Sequence, residues 1–205
     1  MTSSMMTDMI QLMPADPAAD MPAQAQQLKK FLGVVVMAAT SSLDPVLLSA
    51  LPCRKRINRA SCSGLLEIKR RDVPHKSILW HCTVCEDGGS MTNWTGTHFD
   101  LTPRIAPARP TAEDPELEIM VSLQEHTALR SGRIYDPDCE RMIYAARVTP
   151  KGVQIRGLES DFDHWVGYLA ADANHERQAK RRKLVDAVFQ KASDALDDSM
   201  LRHED

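Results

Sequence analysis

Cys53-Arg-Lys-Arg-Ile-Asn-Arg-Ala-Ser-Cys62, followed by Trp80-His-Cys82-Thr-Val-Cys85, is the stretch that decides how this chain folds. Two residues separate Cys82 from Cys85, the spacing at which both sulfurs of one tight turn face a single metal ion. Cys53 and Cys62 supply the opposite pair. Eight residues lie between these two, more than the short knuckle of an ordinary zinc ribbon, so His75, His81 and His98 stand as alternates to Cys53. The expected ligands are Cys53, Cys62, Cys82 and Cys85, and the expected cofactor is Zn2+ in a closed tetrahedral site. Four thiolates leave no open coordination position, which points to a structural metal rather than a catalytic one.

The residues around the cysteines read as strands. Leu65-Leu-Glu-Ile-Lys69, Ser77-Ile-Leu-Trp-His81 and Ser90 to Trp94 are separated by turns at Asp72-Val-Pro74 and Glu86-Asp-Gly-Gly89. Three short strands bracketing two cysteine pairs make a zinc-ribbon-like module over residues 53–101. Trp80-His-Cys82-Thr-Val-Cys85, with Gly88-Gly89, Asn93-Trp94, Gly96-Thr97 and Asp100-Leu101, resembles an uncharacterised family of small bacterial zinc-ribbon-like proteins. The likeness continues to Ala170-Ala-Asp-Ala-Asn-His-Glu176 and the helix after it, about two thirds of the chain. It implies a metal-stapled module and no particular activity.

Between Cys53 and Lys76 eight basic residues face only Glu67 and Asp72. Four of them, Arg54, Lys55, Arg56 and Arg59, lie between the first two cysteines. Two readings stay open: clustered cations bind phosphate, and cations close to a tetrathiolate metal offset its charge of −2. Lys180-Arg181-Arg182-Lys183 is a second basic run. It falls near the start of a helix, where the dipole disfavours cations, so something other than helix stability accounts for it. These eight residues are the candidate nucleic-acid contacts. Trp80 and Trp94 can stack on bases, but a ribbon tryptophan more often covers the metal site.

The remaining sequence sets the frame. At 205 residues and 43% hydrophobic the chain can bury a real core, and with 5% aromatics that core must be aliphatic. A net charge of −3 excludes a globally basic nucleic-acid binder. Five cysteines, four of them within 33 residues and Cys139 alone, suit metal in a reducing compartment better than a disulfide scaffold. Phe31 to Ala39 is apolar but far too short to span a bilayer, so it reads as a buried strand or helix. It also resembles the core of a signal peptide, yet the acidic leader before it fits that poorly. No phosphate loop, zincin motif or nucleophile elbow is present.

The expected organisation is α+β. Residues 1–28, rich in Met and Pro, are expected to be disordered; 29–52 form a short apolar lead-in, with a helical turn at Val46-Leu-Leu48. The zinc-ribbon-like module occupies 53–101 and a Pro-rich linker 102–115. A small mixed helix and strand unit, ending in amphipathic helices, fills 116–200. Within it, Leu117, Ile119, Val121 and Leu123 alternate as a strand does, Ser122 to Glu125 fits a capping box, Asp136-Pro137 starts a helix and Ser160 caps another. Asp172, His175 and Glu176 share one helical face and invite an acid–base reading, but a polar helix terminus accounts for them equally.

The functional expectation is a cytoplasmic zinc-stabilised binding or regulatory protein that contacts nucleic acid through its basic loop. The alternative is a protein–protein adaptor with purely structural zinc, dimerising through its C-terminal helices. A third reading, an enzyme whose site lies between the ribbon and the Asp172, His175 and Glu176 face, has less support because no nucleophile or phosphate loop accompanies it, and no membrane partner is expected.

Overall fold

The computed structural model describes residues 4–13, 21–42, 44–102, 110–132 and 135–203. The chain forms two compact units, Met1–Pro103 and Arg104–Asp205.

In the first unit, α1 (Ala23–Ser41) begins with Ala and Gln, which favour helix, and then places Leu32, Val35, Val36 and Ala39 on one buried face. The apolar run at 31–39 is therefore the middle of a core helix. Burying side chains of this size contributes roughly 1.5–3 kcal/mol each. The helix ends where Thr40 and Ser41 donate their hydroxyls back to the carbonyls of Val36 (2.8 Å) and Ala38 (3.1 Å). Among the described residues five strands form the sheet that α1 covers: β1 (Ser4–Asp8), β2 (Val46–Pro52), β5 (Leu65–Arg71), β6 (Ser77–Cys82) and β7 (Gly88–Thr92). Their spatial order is β1-β7-β6-β5-β2, antiparallel throughout except that β1 runs parallel to β7. Leu66 and Ile68 of β5, Ile78 and Trp80 of β6 and Met91 of β7 are buried at alternate positions, as strands covered on one face require. A short ribbon, β3 (Arg56–Ile57) with β4 (Ala60–Ser61), stands apart from this sheet.

Three expectations are corrected here. The segment 1–28 was expected to be disordered, yet Ser4–Asp8 pairs with Gly88–Thr92 and Met9 is fully buried. Backbone pairing with a strand distant in sequence supplies what the local pattern lacks; residues 1–3 and 14–20 lie outside the described residues. Val46-Leu-Leu48 is strand, not helical turn, because β5 offers it a hydrogen-bonding edge at Glu67–Lys69. The three strands around the cysteines do not stand alone as a ribbon module. They lie in a larger sheet and share one core with α1.

The second unit contains a three-stranded sheet in the order β9-β10-β8: β8 (Glu116–Val121), β9 (Arg147–Thr149) and β10 (Gly152–Leu158). Leu117, Ile119 and Val121 alternate inward as expected. α2 (Leu123–Arg130) opens with a complete capping box: the Glu125 amide donates to Ser122 Oγ (3.1 Å) and the Ser122 amide to Glu125 Oε2 (2.6 Å). Asp136 caps α3 (Pro137–Ala145) by accepting from the Cys139 amide. α4 (Glu159–His175) begins one residue before Ser160, whose hydroxyl donates to Asp114 instead of capping. α5 (Ala179–His203) buries Val185, Val188 and Ala192 and packs chiefly on α4, with α2 and β8 beside it. Its apolar face, expected to pack on a partner element, meets α4 for most of its length within its own unit, and this leaves less of it for the dimer contact of the alternative reading. Of the Pro-rich segment 102–115, residues 103–109 lie outside the described residues.

Candidate metal centre

Four short pieces of backbone meet at the cysteines. Cys53 follows β2, Cys62 follows β4, Cys82 ends β6 and Cys85 sits in the turn before β7. The β3–β4 ribbon explains the eight-residue gap between the first two. Asn58 and Arg59 both take left-handed backbone conformations (φ 50° and 68°), which closes a two-residue turn that folds the chain back on itself. The Cys62 amide then donates to the Lys55 carbonyl (2.9 Å) and the Cys53 amide to the Gly64 carbonyl (2.8 Å). The gap that put Cys53 in question is a hairpin, and no histidine is needed in its place: His81 faces Glu67 and His98 stacks on Phe99.

The four sulfurs lie within 4.8 Å of one another. Cys53 to Cys85 and Cys62 to Cys82 are each 3.7 Å, sulfur to sulfur. Four sulfurs placed tetrahedrally at about 2.3 Å from a zinc ion are separated by about 3.8 Å, whereas a disulfide brings two sulfurs to about 2.05 Å. All five cysteines are free thiols. Cys53, Cys62 and Cys82 are buried and Cys85 is partly exposed, so the cluster has the size and enclosure of a metal site.

Backbone amides point at the sulfurs. Cys82 Sγ accepts from Val84 (3.3 Å) and Cys85 (3.4 Å), Cys53 Sγ from Lys55 (3.4 Å) and Cys62 Sγ from Gly64 (3.4 Å). Such amides stabilise thiolate over thiol. At Cys82 burial works to raise the pKa, but the amides of Cys85 and Val84 outweigh it and bring the thiol down to about 7. Cys53 has only one such amide, and burial pushes its thiol up. Cys85 also meets Cys53 and Asp87 lies beside it, with a carboxylate oxygen 3.8 Å from the Cys53 sulfur. Gly64 is a functional position that sequence reasoning missed. A Cβ there would overlap the Cys82 sulfur and crowd the Val84 backbone, so only glycine lets the first cysteine pair approach the second. Its one sequence signal is its place two residues after Cys62.

The candidate nucleic-acid residues separate into two groups. Arg54 lies over the Phe31 ring (4.6 Å to the centroid), near Trp80 (5.7 Å), and faces Asp87 at 3.9 Å, so it closes the side of the metal cluster. Lys55, Arg56 and Arg59 project from the ribbon and are exposed. In the second run Lys180, Arg182 and Lys183 are exposed, but Arg181 is held inside the unit. Its guanidinium donates to Asp172 (2.8 and 2.5 Å), Glu176 (2.5 Å), Ser131 Oγ and the Ala128 carbonyl. Arg181 is therefore a bridge between helices and is corrected as a nucleic-acid contact. The same contacts take up the expected acid–base face: Asp172 also accepts from Tyr135 (2.8 Å), and His175 is exposed. Trp80 and Trp94 are buried, at 2% and 3% exposure, and cannot stack on bases. Cys139 is a buried thiol whose pKa burial raises, as a small core residue.

Among the described residues no helix is long and apolar enough to cross a membrane. No family model matches the chain, and neither the curated proteins nor the solved structures searched contain a significant match.

Proposed function

We propose that Cys53, Cys62, Cys82 and Cys85 hold one structural Zn2+ and that the protein is a cytoplasmic zinc-stabilised binding protein contacting nucleic acid through the β3–β4 ribbon. The observation that carries the metal is the cluster of four sulfurs, with paired separations of 3.7 Å against about 3.8 Å for a zinc tetrathiolate. Zinc is favoured over an iron–sulfur cluster because four sulfurs within 4.8 Å of one another enclose a single tetrahedral ion and leave no room for bridging sulfides. A reducing compartment follows from the need for four free thiolates. The basic surface is supported by three exposed cations, Lys55, Arg56 and Arg59, for which no carboxylate lies within ion-pair distance among the described residues. The second reading keeps the zinc and replaces nucleic acid by a protein partner. It is favoured by the commitment of Arg54 and Arg181 to internal contacts, which thins both basic runs.

Elemental analysis of the purified chain tests the first half: one zinc per chain is expected. Iron, or native thiols that all titrate without chelator, would overturn it. Mobility shift on mixed DNA and RNA tests the second. Replacing Lys55, Arg56 and Arg59 by Gln is expected to leave zinc bound and to weaken binding. The salt slope on duplex DNA should fall by roughly 0.9 for each lost phosphate contact. No shift by the unmodified protein at low salt transfers the reading to a protein partner.

A further inference from the structure

The second unit carries a groove whose chemistry is the complement of the ribbon. The first turns of α4 lie beside the last turns of α5, and the segment Thr111–Asp114 closes one side. Val166, Leu196 and the exposed Met200 form an apolar floor; Glu113, Asp114, Asp163 and Asp197 form the rim. Among the described residues no lysine or arginine lines this groove or pairs with those four carboxylates. Asp114 has a folding role, accepting from the Ser160 amide (2.9 Å) and hydroxyl (2.8 Å) at the start of α4, but Glu113, Asp163 and Asp197 have no cation among the described residues. The rim carboxylates repel one another, and Met200 stays 53% exposed.

The β3–β4 ribbon has the opposite character. From Cys53 through Gly64 it contains no carboxylate, and its tip places Ile57, 43% exposed, between Lys55, Arg56 and Arg59. An apolar residue flanked by cations meets an apolar floor rimmed by carboxylates.

We propose that the β3–β4 ribbon of one copy docks in the α4–α5 groove of a second copy. Because donor and acceptor surfaces differ, the contact is head to tail, and each added copy exposes a fresh groove and a fresh ribbon. Its charges sit at the surface, so salt screens it strongly.

Sedimentation velocity on the full chain tests this. At about 50 mM salt the sedimentation coefficient should rise with protein concentration, and at about 0.5 M salt the association should be at least tenfold weaker. A ribbon variant (Lys55→Gln, Arg56→Gln, Arg59→Gln) and a groove variant (Asp163→Asn, Asp197→Asn) should each be monomeric alone. Mixed, they should form a 1:1 heterodimer that grows no further, because one supplies the only intact ribbon and the other the only intact groove. Circular dichroism and metal content matching the parent show that both variants fold. A parent chain monomeric at all concentrations, association that survives either variant, or a mixture that stays monomeric would each overturn the proposal. None of these readouts involves nucleic acid, so they stand or fall apart from the function proposed above.

Discussion

The two units solve the same problem with different chemistry. In the first, the irregular backbone between β2 and β7 converges on four thiols whose mutual closeness is unfavourable once they ionise, and the proposed Zn2+ is what would offset that charge. In the second, the junction of α2, α4 and α5 is tied by protein charges alone: Arg181 with Asp172 and Glu176, and Lys191 with Glu125 (2.8 Å). On the proposed zinc reading the first unit should respond to chelation, and the second, with its ion pairs and buried imidazole, to pH. The difference shows that charge can be neutralised from within the fold or from outside it, with separable sensitivities.

The largest expected effect breaks the first unit only. Cys82→Ser should remove the metal and much of the roughly 10 kcal/mol or more that structural zinc contributes in small modules. Hydrogen exchange should report loss of protection at residues 53–64 and 82–87, with the second unit unchanged; a matching loss at α4 and α5 would refute the separation. Arg181→Ala inverts the experiment. It leaves the carboxylate of the buried Asp172 without its cation and is expected to cost about 3 kcal/mol, read by urea denaturation, while zinc content stays the same.

Acid sharpens the comparison further. His126 is 1% exposed; its Nε2 faces the Ile143 carbonyl (2.8 Å) and its Nδ1 has no hydrogen-bond partner among the described residues. Burial depresses its pKa to about 4, from 6.5 in the open chain. As pH falls below 6.5 the unfolded chain takes up the proton first, so stability is full above that value and declines toward pH 4. The loss from this group is about 3 kcal/mol at pH 4. Denaturation curves at several pH values should show the decline, and His126→Gln should flatten it.

Gly64→Ala is a smaller lesion of the first unit. Its methyl group must push aside the Cys82 sulfur, and overpacking of this kind costs about 1–3 kcal/mol, expected as weaker zinc retention in competition with a chelator. Smallest is Arg59→Gly. It relieves a non-glycine residue at φ 68° and should raise thermal stability by roughly 0.5–1 kcal/mol, whereas a loss would show that the Arg59 side chain supports the ribbon.

Legibility in the sequence followed the range of the interactions. Ser122 to Glu125 and Asp136-Pro137 announced helices because their partners lie three residues away. The alternation of Leu117, Ile119 and Val121 was readable because a one-sided strand has period two. Val46-Leu-Leu48 was not, since the hydrogen bonds that make it a strand come from residues about twenty positions later. Ser4–Asp8 was hidden for the same reason at greater distance: its partner is Gly88–Thr92. Arg181 and Arg182 are adjacent and chemically identical in the sequence. Only the position of Asp172 separates a buried bridge from a solvated cation.

The sequence by itself determined the Cys82–Cys85 half of the candidate metal centre, because thiol chemistry and a two-residue spacing are local properties that any fold must respect. It also determined the class of each strongly patterned element and the absence of familiar catalytic motifs. Only the tertiary structure decided that Cys53 joins the other three, since that depends on a left-handed turn at Asn58-Arg59 and on the missing Cβ of Gly64. It alone decided which cations are exposed, and that the apolar face of α5 meets α4 within its own unit. Burial and charge pairing are properties of residues brought together across the chain, and no window of sequence contains both partners.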